Sequence, residues 1–309
     1  MGTPEFAVSS LAAIHNSKHK IVGVVTSVDK PAGRGRKINQ SDVKKYALQE
    51  DLPIYQPSNL KSKAFINDLK FMNPDVIVVV AFRMLPKVVW SMPKFGTFNL
   101  HASLLPKYRG AAPIHWAVIN GEAETGVTTF FIDEKIDTGE IILNKKETIN
   151  PDENTGKIYS KLMNVGAQLV LETLSLIENK GTKIETKKQD LNTPTPSAPK
   201  LTKENTRINW NWKPKELYNF VRGLNPYPLA WCKLLENDKT TQVKIYEVEY
   251  EINNHNKAIG ELLIEKKRLG VFVNGGILFI KVLKVQGKKK MNIADFLNGN
   301  KLELESKFL

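Results

Sequence analysis

The chain has 309 residues, 41% of them hydrophobic and 25% charged, a composition for a globular protein long enough to hold two domains. Its longest apolar run, Val76-Ile77-Val78-Val79-Val80-Ala81-Phe82, stops at Arg83, far short of the ~20 residues of a membrane helix, and Met1 to Glu5 show no secretory pattern. The net charge of +13 favours a phosphate-bearing partner, although lysine-rich surfaces also serve solubility.

In chain order, Thr3-Pro4 predicts a helix cap followed by a proline at the first helical position, with an apolar pattern through Phe6, Leu11 and Ile14. No strand precedes it, so the strand expected to open an alternating fold is missing. Ile21 to Val25 is a continuous apolar run of the kind buried in a parallel sheet. Residues 41–50 and 64–72 predict helices, 75–82, 98–102 and 126–132 predict strands, and 156–179 predicts a long amphipathic helix. This alternation points to a doubly wound, Rossmann-like α/β domain. The Pro-rich stretch Asn192 to Lys200 is a semi-extended linker. Beyond it, a short helix at 214–222 and apolar alternation at 243–250, 260–264, 269–273 and 277–283 predict a small antiparallel barrel of the oligonucleotide-binding (OB-like) type. The expected boundaries are a first domain over 1–188, a linker over 189–206 and a barrel over 207–309. From Lys200 onward 20 Lys and Arg stand against 12 Asp and Glu, a net +8, so the first 199 residues carry only +5. The single cysteine, Cys232, allows no internal disulfide; a structural thiol in a reducing, cytoplasmic compartment is expected.

Three segments carry possible chemistry. Asn99 and His101 lie two apart on a predicted strand, so both leave one face while Phe98 and Leu100 take the other. They are either a satisfied polar pair at a strand end or groups at the carboxyl edge of the sheet, where open α/β sheets bind ligands. Asp137, in Asp137-Thr138-Gly139, is either a turn aspartate or the carboxylate partner of a histidine. An amide donor and an imidazole can stabilise a carbonyl oxygen gathering negative charge, while a carboxylate orients the imidazole and helps take a proton from an attacking amine. Asp29-Lys30-Pro31-Ala32-Gly33-Arg34-Gly35-Arg36-Lys37 combines glycines with cations and suits a loop that grips phosphates. It is not a dinucleotide fingerprint, and the five histidines show no metal spacing, so no metal is expected.

Together these segments resemble the folate-dependent formyltransferase family, and within it the enzymes that act on methionyl-tRNA. The matching stretches are Met1-Gly2-Thr3-Pro4-Glu5-Phe6-Ala7-Val8, Asp29 to Gly35, Asn99-Leu100-His101-Ala102-Ser103-Leu104-Leu105-Pro106 and Asp137-Thr138-Gly139. Downstream, Phe220 to Pro228, Gly287 to Met291 and Asp295 to Gly299 resemble the family's C-terminal domain. The Asn-x-His and Asp-Thr-Gly set is common to the whole family, including members acting on nucleotide-linked amino sugars; the Pro-Ala-Gly-Arg-Gly loop and the attached basic domain point to the tRNA enzymes. The resemblance implies 10-formyltetrahydrofolate as formyl donor and the α-amine of initiator methionyl-tRNA as acceptor. It implies Asn99, His101 and Asp137 as catalytic residues. It places Ser103, Leu104, Leu105 and Pro106 at the folate, with Phe82 and Leu85. It assigns Arg34, Arg36 and Lys37 to the tRNA acceptor end. A monomer is expected.

Overall fold

A computed structural model of the protein describes residues 1–32, 37–300, 302 and 306–309. They divide into two units, one of residues 1–113, 125–148 and 159–197 and the other of 114–124, 149–158 and 198–309. In order, the elements up to residue 180 are α1 (Glu5–His15), β1 (Val24–Val25), β2 (Lys30–Ala32), β3 (Lys37–Asn39), α2 (Asp42–Gln49), β4 (Ile54–Tyr55), α3 (Lys63–Met72), β5 (Ile77–Val80), α4 (Lys87–Trp90), β6 (Thr97–His101), β7 (Arg109–Gly110), α5 (Pro113–Ile119), β8 (Glu124–Phe131), β9 (Ile141–Thr148) and α6 (Thr155–Lys180).

The sheet of the first unit runs β5-β6-β8-β9, with β5 and β6 parallel and β8 antiparallel to β6. A second parallel pair, β1-β4, lies beside it. Met1 and Gly2 join the two in the place of the expected opening strand. Gly2 N–H donates to the Val25 carbonyl at 3.1 Å, and the Met1 carbonyl accepts from Val80 N–H at 3.0 Å. Glycine is needed there, because a Cβ would sit 2.9 Å from the Val80 carbonyl. This is the α/β domain that the alternating pattern predicts.

Local departures have physical reasons. Pro4 caps α1 with no side-chain hydrogen bond, so the helix starts one residue later than a Thr3 cap requires. The apolar run 21–25 contributes only Val24 and Val25, because its partner strand is two residues long. Strand β5 stops at Val80, where Ala81 turns into left-handed backbone at φ 47°. Helices α2 and α3 fall where 41–50 and 64–72 predict them, each starting a residue away from the expected point because Ser41 and Ser62 cap them, their hydroxyls accepting a backbone N–H three residues on. The expected linker is fastened: Thr195 Oγ1 donates to the Pro106 carbonyl, the Pro196 carbonyl accepts Tyr108 N–H, and Ala198 is fully buried.

In the second unit, β10 (Ser197–Ala198) and α7 (Pro214–Gly223) lead into β11 (Ala230–Glu236), β12 (Lys239–Ile252), β13 (Leu262–Glu265), β14 (Arg268–Val273), β15 (Gly276–Val285), β16 (Met291–Asn292), α8 (Ile293–Gly299) and β17 (Lys307–Phe308). The sheet order is β13-β14-β15-β12-β11-β17, with β16 on β15. Glu261 bridges Lys307, so the two ends of the sheet meet and close the predicted antiparallel barrel. Leu217 and Phe220 of α7 fill its core with Ile245, Leu269 and Leu278. Cys232 lies in that core; burial pushes its thiol well above the usual range, which fits an inert residue. The segments 114–124 and 149–158 pack here too. Gly223 lets Ile119 approach α7, and buried Arg222 donates to the Glu153 carbonyl at 2.6 Å.

In the first unit, α6 lays Leu162, Leu169 and Val170 into the core, and Gly166 admits the Leu100 side chain of β6. Leu162→Ala should therefore cost about 2–5 kcal/mol, read as a lowered urea midpoint of the full-length chain.

Candidate active site

Strand β6 delivers two of the three expected catalytic residues. Its backbone pairs Asn99 with Val79 and Phe130, and His101 with Thr128. Alternation sends Phe98 and Leu100 into the core, at 0% and 3% exposure, and turns Asn99 and His101 to the opposite face. The Asn99 side-chain amide makes no hydrogen bond among the described residues. His101 is buried, and its Nε2 lies 2.9 Å from the Tyr108 carbonyl. A carbonyl only accepts, so Nε2 carries the hydrogen. That leaves Nδ1 facing Asp137, with Oδ2 at 3.7 Å. Phe130 packs edge-on against the imidazole at 6.5 Å between ring centres.

Asp137 sits in left-handed backbone, φ 56°, a conformation in which the Asp-Thr-Gly turn folds back on β8. Its Oδ2 also accepts the Gly110 N–H at 3.0 Å, while Oδ1 has no hydrogen bond among the described residues. Thr138 Oγ1 closes the turn on Asp133 at 2.8 Å. Gly139 has no room for a side chain, because a Cβ would run into the Phe131 carbonyl. The structure thus brings the histidine and the aspartate into contact and puts the free amide on the same strand face.

Among the expected folate residues, Ser103 is fully buried, and its hydroxyl donates to the Lys107 carbonyl at 2.7 Å. It shapes the turn. Thr128 Oγ1 donates to the Ser103 carbonyl at 2.6 Å and accepts Leu105 N–H at 3.2 Å. Leu105 is buried and packs with Phe130 and Ile141, while Leu104 and Pro106 are half-buried. Leu85 is buried too, and Phe82 packs on the core beside it under the Arg83 guanidinium. A cleft of about 670 Å³ borders Leu85, lined also by Ser58, Leu60, Arg83, Met84 and Pro86. None of Asn99, His101 and Asp137 lines it.

Arg34 and Arg36 lie outside the described residues. Lys37 opens β3, which pairs antiparallel with β2 as the two arms of a hairpin. Asp29 anchors the base of that hairpin through Lys44 Nζ at 2.6 Å and Gln56 Nε2 at 2.8 Å. The Lys44 hydrogen bond, seconded by Gln56, holds the Asp29 carboxyl below the usual carboxylate range. Sequence reasoning did not single out Tyr108, Gly110 and Thr128. Tyr108 and Gly110 act through backbone atoms, which no side-chain pattern reveals; Thr128 could have been found from the β6–β8 register alone.

A histidine held between a carbonyl and a carboxylate, with an unpaired amide beside it, is suited to acyl-type transfer, and comparison with known proteins narrows the class. The model of the family described as formyl transferase matches residues 1–174, and that of its C-terminal domain matches residues 200–301. The chain belongs to the formyl transferase family.

More particularly, it is 50% identical over 307 residues to the methionyl-tRNA formyltransferase of Flavobacterium johnsoniae, covering 99% of this chain and 97% of that protein. It is 52% identical over 302 residues to that of Flavobacterium psychrophilum, covering 97% and 94%. Among solved structures it is similar in fold to the N-formyltransferase of Helicobacter canadensis in complex with folinic acid and dTDP-3-aminofucose. That match has a TM-score of 0.64 and 22% identity, and covers 94% of this chain and 97% of that one. It is also similar to Aquifex aeolicus HypX in complex with tetrahydrofolic acid, with a TM-score of 0.57 and 20% identity, over 81% of this chain and 43% of that one.

The tight fit at Gly139 gives a direct check. Gly139→Ala should displace the Asp137 turn from β8 and lower formyl-transfer kcat by at least ten-fold, measured beside the circular dichroism of the variant.

Proposed function

We propose that this chain transfers the formyl group of 10-formyltetrahydrofolate to the α-amine of methionine on initiator methionyl-tRNA, for translation initiation. The contact between His101 and Asp137, with Oδ1 of the carboxylate free of hydrogen bonds among the described residues, is the observation that carries the chemistry. The acceptor is supported by the half-identical relatives, which are named methionyl-tRNA formyltransferases and match this chain almost end to end.

The folate supplies an activated formyl carbon. In the reaction the amine nitrogen bonds to that carbon, the bond to the folate nitrogen breaks with its electron pair going to that nitrogen, and the proton the amine loses ends on the folate nitrogen, so the carboxylate that takes it is restored. Asn99 has a side-chain N–H₂ to offer the carbonyl oxygen as negative charge gathers there. The Tyr108 carbonyl and Asp137 hold the His101 ring from its two nitrogens, so its edge is oriented without a search through rotamers. With Oδ2 committed to Gly110 and to His101, Oδ1 is the oxygen available to take the amine proton. The folate reading is supported by Leu85, which borders a cleft with apolar walls from Leu60, Met84 and Pro86 on which a flat ring can lie, with the Arg83 and Lys61 cations beside it.

The tRNA falls to two basic regions. Arg34 and Arg36 fall in the sequence between β2 and β3, and Lys37 opens β3, at a strand pair whose base Asp29 anchors. On the barrel, Lys244 and Lys284 sit directly opposite one another on β12 and β15. Like charges so placed destabilise a bare sheet, and a phosphate backbone offsets that repulsion.

The test is formyl transfer to charged initiator tRNA from the formylated folate. His101→Ala and Asp137→Ala should each lower kcat by about 10²–10⁴-fold while tRNA affinity stays within a few-fold. Reaction with a nucleotide-linked amino sugar and none with charged tRNA would overturn the acceptor. The affinity for tRNA should also fall steeply as salt is raised, measured by filter binding, because phosphate contacts release counterions.

A further inference from the structure

Asp137 is gripped by two side chains that the reaction itself does not call for. Arg109, on β7, donates from Nε to the Asp137 carbonyl at 3.1 Å. Gln189 donates from Nε2 to the same carbonyl at 3.1 Å and to the Gly139 carbonyl at 2.7 Å. The two are locked to each other, with Arg109 Nε and Nη2 at 3.1 and 2.7 Å from Gln189 Oε1. Arg109 Nη2 reaches on to the Asp190 carbonyl at 3.5 Å. Gln189 is only 9% exposed, and its segment is seated by paired backbone bonds between Lys187 and Ile141 at 2.9 and 2.8 Å.

These contacts converge on a residue whose backbone needs support. Left-handed backbone is uncommon for residues with a Cβ, although aspartate adopts it more readily than most, and it sets the direction of the Asp137 side chain. Two donors on one carbonyl fix that peptide plane. The Arg109-Gly110 pair then holds Asp137 at both ends: the Arg109 side chain takes the main-chain carbonyl, and the Gly110 N–H takes Oδ2. At 3.7 Å from His101 Nδ1, the Oδ2 atom is positioned by the direction of the Asp137 side chain, so a rotation of that turn moves it away from the imidazole.

We infer that Arg109 and Gln189 are positioning residues, a clasp across 80 residues of sequence that aims the Asp137 carboxylate at His101. The inference rests on the reading of Asp137 as catalytic. The clasp has two separable halves. The Gln189 oxygen anchors Arg109, and the Gln189 nitrogen holds the turn. Gln189→Glu keeps the acceptor for Arg109 and removes both donors to the turn, so it spares the anchor and releases the aim.

The experiment compares the full-length protein with Gln189→Glu, Arg109→Lys and Asp137→Asn. Each is assayed with charged initiator tRNA and 10-formyltetrahydrofolate and examined by ¹⁵N NMR of the imidazole rings. Gln189→Glu is expected to lower kcat at least ten-fold, with KM for both substrates within two-fold. Its His101 ring nitrogen signals should move toward those of Asp137→Asn. Arg109→Lys keeps the cation but loses the fork, and it should give the same pattern; it carries the test if Gln189→Glu does not fold. Wild-type kcat in Gln189→Glu, or a loss of kcat with unmoved His101 signals, would overturn the clasp. A wild-type rate in Asp137→Asn would instead overturn the catalytic reading of Asp137. A slow Asp137→Asn beside a fast Gln189→Glu counts against the clasp alone.

Discussion

The register of β6 is the constraint on which the site depends, because one strand serves both the core and the chemistry. Its ladder to β5 on one side and β8 on the other leaves it no free edge along which to slide. A slip of one residue would exchange the two faces, sending Asn99 and His101 into the core and Phe98 and Leu100 out of it. Phe98 at 0% exposure and Leu100 against Gly166 oppose that exchange, and the slip would bury the Asn99 amide and strip His101 of its hydrogen bond to Tyr108. Packing on one side of the sheet therefore holds the geometry on the other.

Much of this was legible in the amino-acid sequence. The two-residue spacing of Asn99 and His101 gave their shared face, and the helices expected over 41–50 and 64–72 are α2 and α3. The change of pattern after the Pro-rich stretch marked the barrel. What was not legible falls into two kinds. Strand β9 opens with Ile141, Ile142 and Leu143 and runs on through exposed Asn144, Lys145 and Lys146, so it shows no alternation, and β11 is an apolar run broken by Lys233. The other kind is contact between distant residues through backbone atoms. The Tyr108 carbonyl that fixes the His101 tautomer leaves no trace in residue type. Gln189 stood at the edge of an expected linker, yet it is nine-tenths buried beneath Asp137. The turn chemistry of Asp-Thr-Gly suggested a bend at 137 but not which groups would hold it.

The cations divide by what they are tied to. Lys44 is spent on Asp29, and Arg222 is buried against Glu153 and Asn219. Lys244 and Lys284 face each other on the barrel; Lys244 donates to the Pro228 carbonyl at 3.1 Å, and neither forms an ion pair among the described residues. A positive total therefore says less than the map of which charges are already neutralised. The bridge between Glu261 and Lys307 also brings the β13 end of the sheet to β17, which shortens the edge open to a strand of another chain.

The packing of Ile119 against α7 at Gly223 and the grip of Arg222 on Glu153 bear on how such a chain can be cut or recombined. Residues 114–124 and 149–158 are interleaved in sequence with the α/β domain, yet they finish the fold of the C-terminal unit. A boundary drawn at the Pro-rich stretch would leave those two insertions behind with their apolar faces uncovered. The two halves are thus not interchangeable cassettes. A graft of the barrel onto another catalytic domain would have to carry both insertions with it.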